Sequence, residues 1–285
     1  MQKTFLNHFP VFRMRDTMQW SLQQKSAGCF LLKGKADTMA NHESKTLAGN
    51  TATSYLKWIA LLCMFCDHAG KMLFPQIPEL RIIGRIAYPL YCWCLVVGVS
   101  YTHSVPMYML RLLVVGVISQ PLYMLALDHE WNEPNIFLTL LLALVGLWGM
   151  REKKLGSAVW APLVTMVLAS PLNANYGWKG ILLIYLLYMV RGSRTGISAV
   201  MIAFCLFWGS TSSQVSQIFS LNLSTFLHPW VQPLLTPWMR LQALAILALP
   251  LMLIRMKGSV KMPLWLSYTI YPLHLAILYL WEQLA

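Results

Sequence analysis

The sequence predicts an all-α protein: a polytopic integral membrane helical bundle of about nine transmembrane helices with a cytoplasmic N-terminus. Three observations carry that expectation. Of the 285 residues, 57% are hydrophobic and only 11% are charged, against roughly a quarter charged in ordinary soluble domains. From Tyr55 onward, apolar runs alternate with short polar or Pro/Gly-rich breaks. Cations also crowd alternate connections between those runs, as the positive-inside rule requires of a chain that crosses a bilayer repeatedly.

The same numbers exclude a soluble globular enzyme, a disordered tail and a disulfide scaffold. Basic residues exceed acidic ones by 22 − 10 = 12. They are scattered singly and form no nucleic-acid-binding motif, so the lipid bilayer, and not nucleic acid, is the expected partner of this charge. Five of the six cysteines (Cys63, Cys66, Cys92, Cys94, Cys205, but not Cys29) lie in or beside apolar runs, where a thiol behaves as a small hydrophobe. Cys63 and Cys66 have C-x-x-C spacing, but no second pair stands at zinc spacing, and no metal is expected.

Residues 1–54 differ in kind and are expected to be a poorly ordered basic leader ahead of a membrane domain at 55–285. The leader carries Lys3, Arg13, Arg15, Lys25, Lys33, Lys35 and Lys45 with no sustained apolar stretch. It lacks the apolar h-region of a secretory signal, about 7 to 15 residues long. Met39 opens a hydrophilic run that would serve as a shorter N-terminus.

A helix needs about 20 residues to cross the hydrocarbon core. Nine spans are expected near 55–74, 82–101, 107–127, 135–150, 155–171, 176–191, 196–212, 240–254 and 264–282. The stretch 213–239, with Pro229, Pro233, Pro237, Trp230 and Trp238, suits an interfacial or re-entrant segment better than a further span. With the N-terminus inside, the inner loops hold Arg111, then Arg151, Lys153 and Lys154, then Arg191 and Arg194, then Arg255, Lys257 and Lys261. The outer loops hold Asp128, Glu130 and Glu133, with only Lys179 and Arg240 as cations. One connection breaks the rule: the outer turn after the first span is flanked by Lys71, Arg81 and Arg85.

That exception coincides with charges where lipid should be. Asp67 and His68 lie about a dozen residues into the first span, with Lys71 one turn later. A charge at the centre of a membrane helix costs about 2.5 to 3.5 kcal/mol on insertion scales, so it faces a partner or a water-filled cavity and marks function. Asp67 is expected to pair with Arg85 of the second span, which does not exclude a role in a site. His68, cheap to bury when neutral and able to titrate near neutral pH, is the natural base or acyl acceptor. Adjacent helical residues point roughly 100° apart, so Asp67 cannot orient His68 directly. Pro89 after Gly84-Arg85 is expected to kink the second span. Asn135 after Pro134 reads as a helix cap, His274 sits mid-span in the last helix, and His103, His129 and His228 fall at span ends.

A further signal lies in the order of these landmarks. They run from Leu56-Lys57 into Asp67-His68, then Gly84-Arg85 with Ala87-Tyr88-Pro89-Leu90-Tyr91, Arg111-Leu112, and Ile118-Ser119-Gln120. Asn135-Ile136-Phe137, Pro171-Leu172 with Tyr176-Gly177, and His274-Leu275 follow. In this order the chain resembles the TraX family of conjugative-plasmid membrane proteins, whose namesake acetylates the N-terminus of the F-type pilin subunit. More remotely it resembles the multi-helix acyltransferases that use a helix-borne histidine. The longer leader, His103 and the 213–239 connection depart from the family pattern.

The resemblance implies a multi-pass protein of the bacterial inner membrane. It would carry acetyl from acetyl-CoA to the amine of a membrane-inserted pilin subunit. His68 would act as base or acyl carrier, with Asp67 and Arg85 completing the catalytic group. Lys71, Arg111 and Asn135 are the candidates for holding the donor, and Arg85 and Lys71 for stabilising the oxyanion. Lys153, Arg194 and Lys257 could also meet the CoA phosphates, although topology alone explains them. Two other functions use the same residue types: a proton-coupled transporter or flippase with Asp67, His68 and Arg85 on its path, and a non-catalytic pilin assembly factor that needs no buried histidine.

Overall fold

A computed structural model describes residues 47–215, 217–218, 221–222, 235–256 and 262–284. The leader to residue 46, most of the 213–239 connection, and Lys257 and Lys261 lie outside the described residues.

The described chain is helical. Its elements are α1 (Thr53–Met72), α2 (Pro78–Gly84), α3 (Ala87–Tyr101), α4 (Val105–Leu127), α5 (Ile136–Glu152), α6 (Ser157–Leu168), α7 (Gly177–Met189), α8 (Arg194–Gly209), a 3₁₀ segment (Ala243–Ala248) running into α9 (Leu249–Leu253), and α10 (Leu264–Leu284). Two two-residue strands, Gln217–Ile218 and Leu221–Asn222, pair antiparallel. Cys63, Cys66, Cys92, Cys94 and Cys205 are free thiols.

Among the described residues, two helices are long and apolar enough to cross a membrane: Pro78–Tyr101, counting α2 and α3 through their junction, and Val105–Leu127. The apolar segments Lys154–Leu168, Gly177–Met189, Arg194–Gly209 and Ala243–Leu253 are shorter than the expected spans they fall in. Left-handed backbone at Lys153, Leu155, Gly156, Asn173 and Gly177 explains two of those differences, because a helix cannot run through such residues. At 240–254 a tighter 3₁₀ coil over Ala243–Ala248 takes the place of the α-helix ahead of α9.

The core is centred on α3, whose sequence is apolar on every side and which is correspondingly buried over most of its length, with Leu90, Cys92, Trp93, Val96 and Val99 all inaccessible. It packs on α1, α5, α7 and the 3₁₀ segment, while α10 closes the bundle against α1 and α4. Pro89 sits in the first turn of α3, where its missing N–H costs nothing, and so no kink forms there. The break falls just before, at Arg85-Ile86, between α2 and α3.

Both ends of the bundle are fixed by specific polar contacts. Asn135 caps α5 by accepting from the Phe137 N–H at 3.0 Å, and its amide donates to the Gly116 carbonyl of α4 at 2.8 Å. Gln120 holds the same connection, donating to the Glu133 carbonyl at 3.0 Å and accepting from the Asn135 N–H at 2.9 Å. At the other end, Arg151 donates to the Val99 and Thr102 carbonyls at the C-terminus of α3, a favourable place for a cation.

The described residues ahead of α1, from Leu47 onward, are tied into the bundle. The Trp93 indole donates to the Asn50 carbonyl at 2.7 Å, the Asn50 N–H to the Met252 carbonyl at 2.6 Å, the Ala48 N–H to the Arg191 carbonyl at 2.9 Å, and Arg255 to the Leu47 carbonyl at 3.0 Å.

Candidate functional site

A cavity of about 1020 Å³ opens among the last turns of α1, the C-terminal turn of α2, the start of α3, the α4–α5 connection and the turn between α6 and α7. Asp67, His68 and Lys71 reach it from one face of α1, and Arg81 and Arg85 reach it from α2 and its end. The cations that broke the positive-inside pattern are therefore wall residues of a polar cavity.

The carboxylate of Asp67 is held by two guanidinium groups. Arg85 Nη2 lies 2.5 Å from Asp67 Oδ1, and Arg81 Nε lies 3.6 Å from the same oxygen. The expected pair of Asp67 with Arg85 is thus present, most of it shielded from solvent. Arg85 also donates to Gln242 at 3.4 Å. Gly84 is required by this arrangement, because any Cβ there would overlap the Asp67 side chain.

His68 is hydrogen-bonded across the bundle to His274 of α10, with Nδ1 to Nε2 at 2.8 Å and the rings within 7° of coplanar. The donor and acceptor follow from a third contact. His274 Nδ1 stands 3.1 Å from the Ile270 carbonyl, which can only accept, so this nitrogen carries the proton. In neutral His274, Nε2 is then a lone pair, and His68 Nδ1–H donates to it. Neutral His68 is left with a bare Nε2 that meets no hydrogen-bond partner among the described residues. This is the tautomer a general base or nucleophile needs, with His274 in the place an orienting carboxylate takes in hydrolytic triads.

A second imidazole stands at the rim. His129 Nδ1 lies 2.6 Å from Glu133 Oε2, and its Nε2 lies 3.2 Å from Lys71 Nζ. The Tyr123 ring stacks on His129 at 4.8 Å, and Asn175 donates to the Tyr123 hydroxyl at 2.6 Å. The hydrogen bond from His129, and then that from the Glu130 N–H, holds the Glu133 carboxyl below its ordinary range. Lys71 also donates to the Leu127 carbonyl at 3.3 Å, so it bridges α1 to the end of α4. Tyr88 and Tyr176 stack at 3.7 Å on a further wall, with Trp208 edge-on to both.

Of the six residues singled out from sequence, Asp67, His68, Lys71 and Arg85 line one cavity, and Arg111 and Asn135 do not. Arg111 lies on the exposed side of α4. Asn135 is buried, with its oxygen and nitrogen both used in fastening α5 to α4. Arg194 donates to the Leu253 carbonyl at 2.9 Å, a capping role at the end of α9. The residues that sequence reasoning passed over are His274, His129 with Glu133, and the Tyr88, Tyr176 and Gln242 walls. His274 was visible as a lone polar residue mid-span, and the i,i+4 spacing of His129 and Glu133 was a weak signal of their contact.

Comparison with known proteins adds the following. The chain is 31% identical over 136 residues to the protein of Dichelobacter nodosus described as "Probable fimbrial assembly protein FimC, serogroup H1", covering 43% of this chain and 55% of that one. It is 33% identical over 87 residues to an uncharacterized protein of Rickettsia prowazekii, covering 30% of this chain and 33% of the other. The alignments thus span about half and about a third of those relatives. No solved structure matches. The family profile described as TraX protein matches residues 52–282, which take in α1 with its His68, the imidazole partner in α10 and every helix between, and the chain belongs to the TraX family.

Proposed function

We propose that this chain is a multi-pass acetyltransferase of the bacterial inner membrane that moves acetyl from acetyl-CoA to the N-terminal amine of a pilin or fimbrial subunit. The observation that carries the proposal is the bare Nε2 of His68, its tautomer set by His274, on the wall of a cavity bordered by cations. Family membership and the fimbrial assembly description of the Dichelobacter nodosus relative support a pilus-related acceptor. Support for repeated crossing comes from the exterior. Val117 and Ile118 of α4, Val159 and Val167 of α6 and Leu280 of α10 are all more than half exposed, a surface that suits lipid and would be an aggregation hazard in water.

In the simplest scheme His68 Nε2 takes the proton of the acceptor amine as its nitrogen attacks the thioester carbonyl. The carbon–sulfur bond of the tetrahedral intermediate then breaks, the departing thiolate takes the proton from His68, and the amide remains. With His68 as acyl carrier, Nε2 attacks the thioester carbonyl and the C–S bond breaks to release the thiolate; the amine then attacks the acyl-imidazole, the bond to Nε2 breaks, and the amine's proton passes to the thiolate. Arg85, fixed by Asp67 and Gln242, supplies a preorganised positive charge beside the developing oxyanion. With the N-terminus inside, the loops that line this cavity all lie at the outer end, where the acceptor amine would arrive.

Purified protein carrying His68→Ala should lose acetyl transfer to an acceptor peptide by about 10² to 10⁴-fold, read by mass spectrometry, while staying in the membrane fraction. Acetylation at the wild-type rate would overturn the assignment.

A further inference from the structure

The proposed reaction centres on His68 and leaves the imidazole at the cavity rim without a task. There Glu133, His129 and Lys71 follow one another in a chain of contacts. Glu133 Oε2, a carboxylate oxygen that can only accept, stands 2.6 Å from His129 Nδ1, so this nitrogen carries the proton. His129 Nε2 is then a lone pair, and Lys71 Nζ donates to it at 3.2 Å. The imidazole is steadied by its stack on Tyr123 at 4.8 Å, and the carboxylate by the Glu130 N–H at 3.2 Å.

The order is carboxylate, imidazole, amine: an oriented base with its bare nitrogen against a nucleophile. A lysine retained only as a fixed cation would have an anion beside it, yet no carboxylate lies within ion-pair distance of Lys71 among the described residues. Its two hydrogen bonds, to His129 and to the Leu127 carbonyl, are both to uncharged groups. Passing a proton to His129 therefore breaks no ion pair of Lys71, and the resulting imidazolium is compensated by Glu133. Reach completes the case. Lys71 follows His68 by three residues in α1, which puts the two Cβ atoms about 5 to 6 Å apart on one helix face, and both side chains line the same cavity. A thioester carbonyl presented to His68 is within the swing of the flexible four-carbon lysine stem.

Resting on the acetyltransferase reading, we infer that Lys71 is an internal acetyl acceptor, a self-modification site served by His129 as base with Glu133 orienting it. The Lys71 ammonium first gives one proton through His129 to water at the open rim. Its neutral nitrogen then attacks the thioester carbonyl, the carbon–sulfur bond of the tetrahedral intermediate breaks, and the second proton passes from nitrogen through His129 to the departing thiolate. The product is an amide, which unlike an acyl-imidazole does not pass the acetyl group on, so the reaction stops at one acetyl per chain. It removes one positive charge from the rim and the ammonium that joins α1 to the end of α4.

The test incubates the full chain in nanodiscs with acetyl-CoA, with and without a lysine-free acceptor peptide that has a free N-terminal amine, and maps acetylation by digestion and mass spectrometry. Lys71 should approach one equivalent at a rate about 10²-fold or more above that of Lys154, whose 80% exposed side chain reports direct chemical acetylation in the same digest. His129→Phe keeps a ring over Tyr123 and should slow modification of Lys71 by about 10² to 10⁴-fold. Glu133→Gln should slow it about tenfold, the worth of one charge-assisted hydrogen bond, and decides alone if His129→Phe does not fold. An acetylated peptide with Lys71 modified no faster than Lys154 would overturn the self-modification and leave the acetyltransferase standing. Equal Lys71 rates in wild type, His129→Phe and Glu133→Gln would overturn it in the same way. Acetylation of neither Lys71 nor the peptide would overturn both.

Discussion

Replacing His274 by phenylalanine keeps a flat ring of similar size in α10 and removes its hydrogen bonds, above all the acceptor for His68 Nδ1–H. Without it that N–H is stranded in a buried setting, at a cost of about 1 to 3 kcal/mol, and His68 no longer has a reason to keep Nε2 bare. If the whole of that cost falls on the reactive tautomer, kcat drops by about 5 to 150-fold at 1.36 kcal/mol per decade. The assay is single-turnover acetyl transfer with purified protein at saturating donor and acceptor, which separates kcat from KM, together with a thermal melt to register any loss of folding. His274→Gln supplies an amide oxygen at the same site and should recover part of the rate, since that oxygen can accept the same hydrogen bond. Equal rates in the phenylalanine and glutamine variants, or a wild-type kcat in the phenylalanine variant, would refute the positioning role. A role in packing alone predicts the opposite order, with the ring replacement the milder of the two.

Asp67→Asn should lower the stability of the detergent-solubilised protein by about 3 to 5 kcal/mol, because it leaves the Arg85 guanidinium buried without its partner. Adding Arg85→Leu should restore much of the melting temperature without restoring transfer, and a double variant with full activity would remove Arg85 from the mechanism. At the rim the sign follows from the depressed carboxyl of Glu133. Its stabilising contribution is complete above the unfolded value near 4.5 and is lost as pH falls through the lower folded value. Glu133→Gln should therefore flatten the acid side of a stability–pH profile measured by thermal unfolding, and an unchanged profile would contradict the dyad.

The parts of this fold legible in the sequence are those set by local rules. The expected span 107–127 coincides with α4 because apolar length and the flanking cap signals at Ser104 and Asp128 act within a few residues of the helix. Asn135 announced its cap for the same reason. The Asp67–Arg85 pair could be anticipated because two opposite charges in neighbouring spans have few other places to go. The His68–His274 contact could not, since it joins residues 206 positions apart and nothing in the periodicity of α1 or α10 says which faces meet. His129 reads as an interfacial residue because it ends an expected span, and only the fold of the α4–α5 connection turns it toward Lys71. The helices at 157–168 and 177–189 fall within the expected spans 155–171 and 176–191 but are shorter, because hydropathy is blind to the backbone turns at Gly156 and Asn173.

The segment that enters ahead of α1 laces one end of the bundle shut. Between them, Leu47, Ala48 and Asn50 engage Arg255, Arg191, Met252 and Trp93, drawn from two separate interhelical connections, from α9 and from the central helix. Every one of these ties lies at or after residue 47, so a chain initiated at Met39 would keep the full set. Trimming past residue 50 would break the ties to both connections, to α9 and to the central helix at once. A truncation designed from hydropathy alone, placed at the first apolar turn, would therefore cut through the knot.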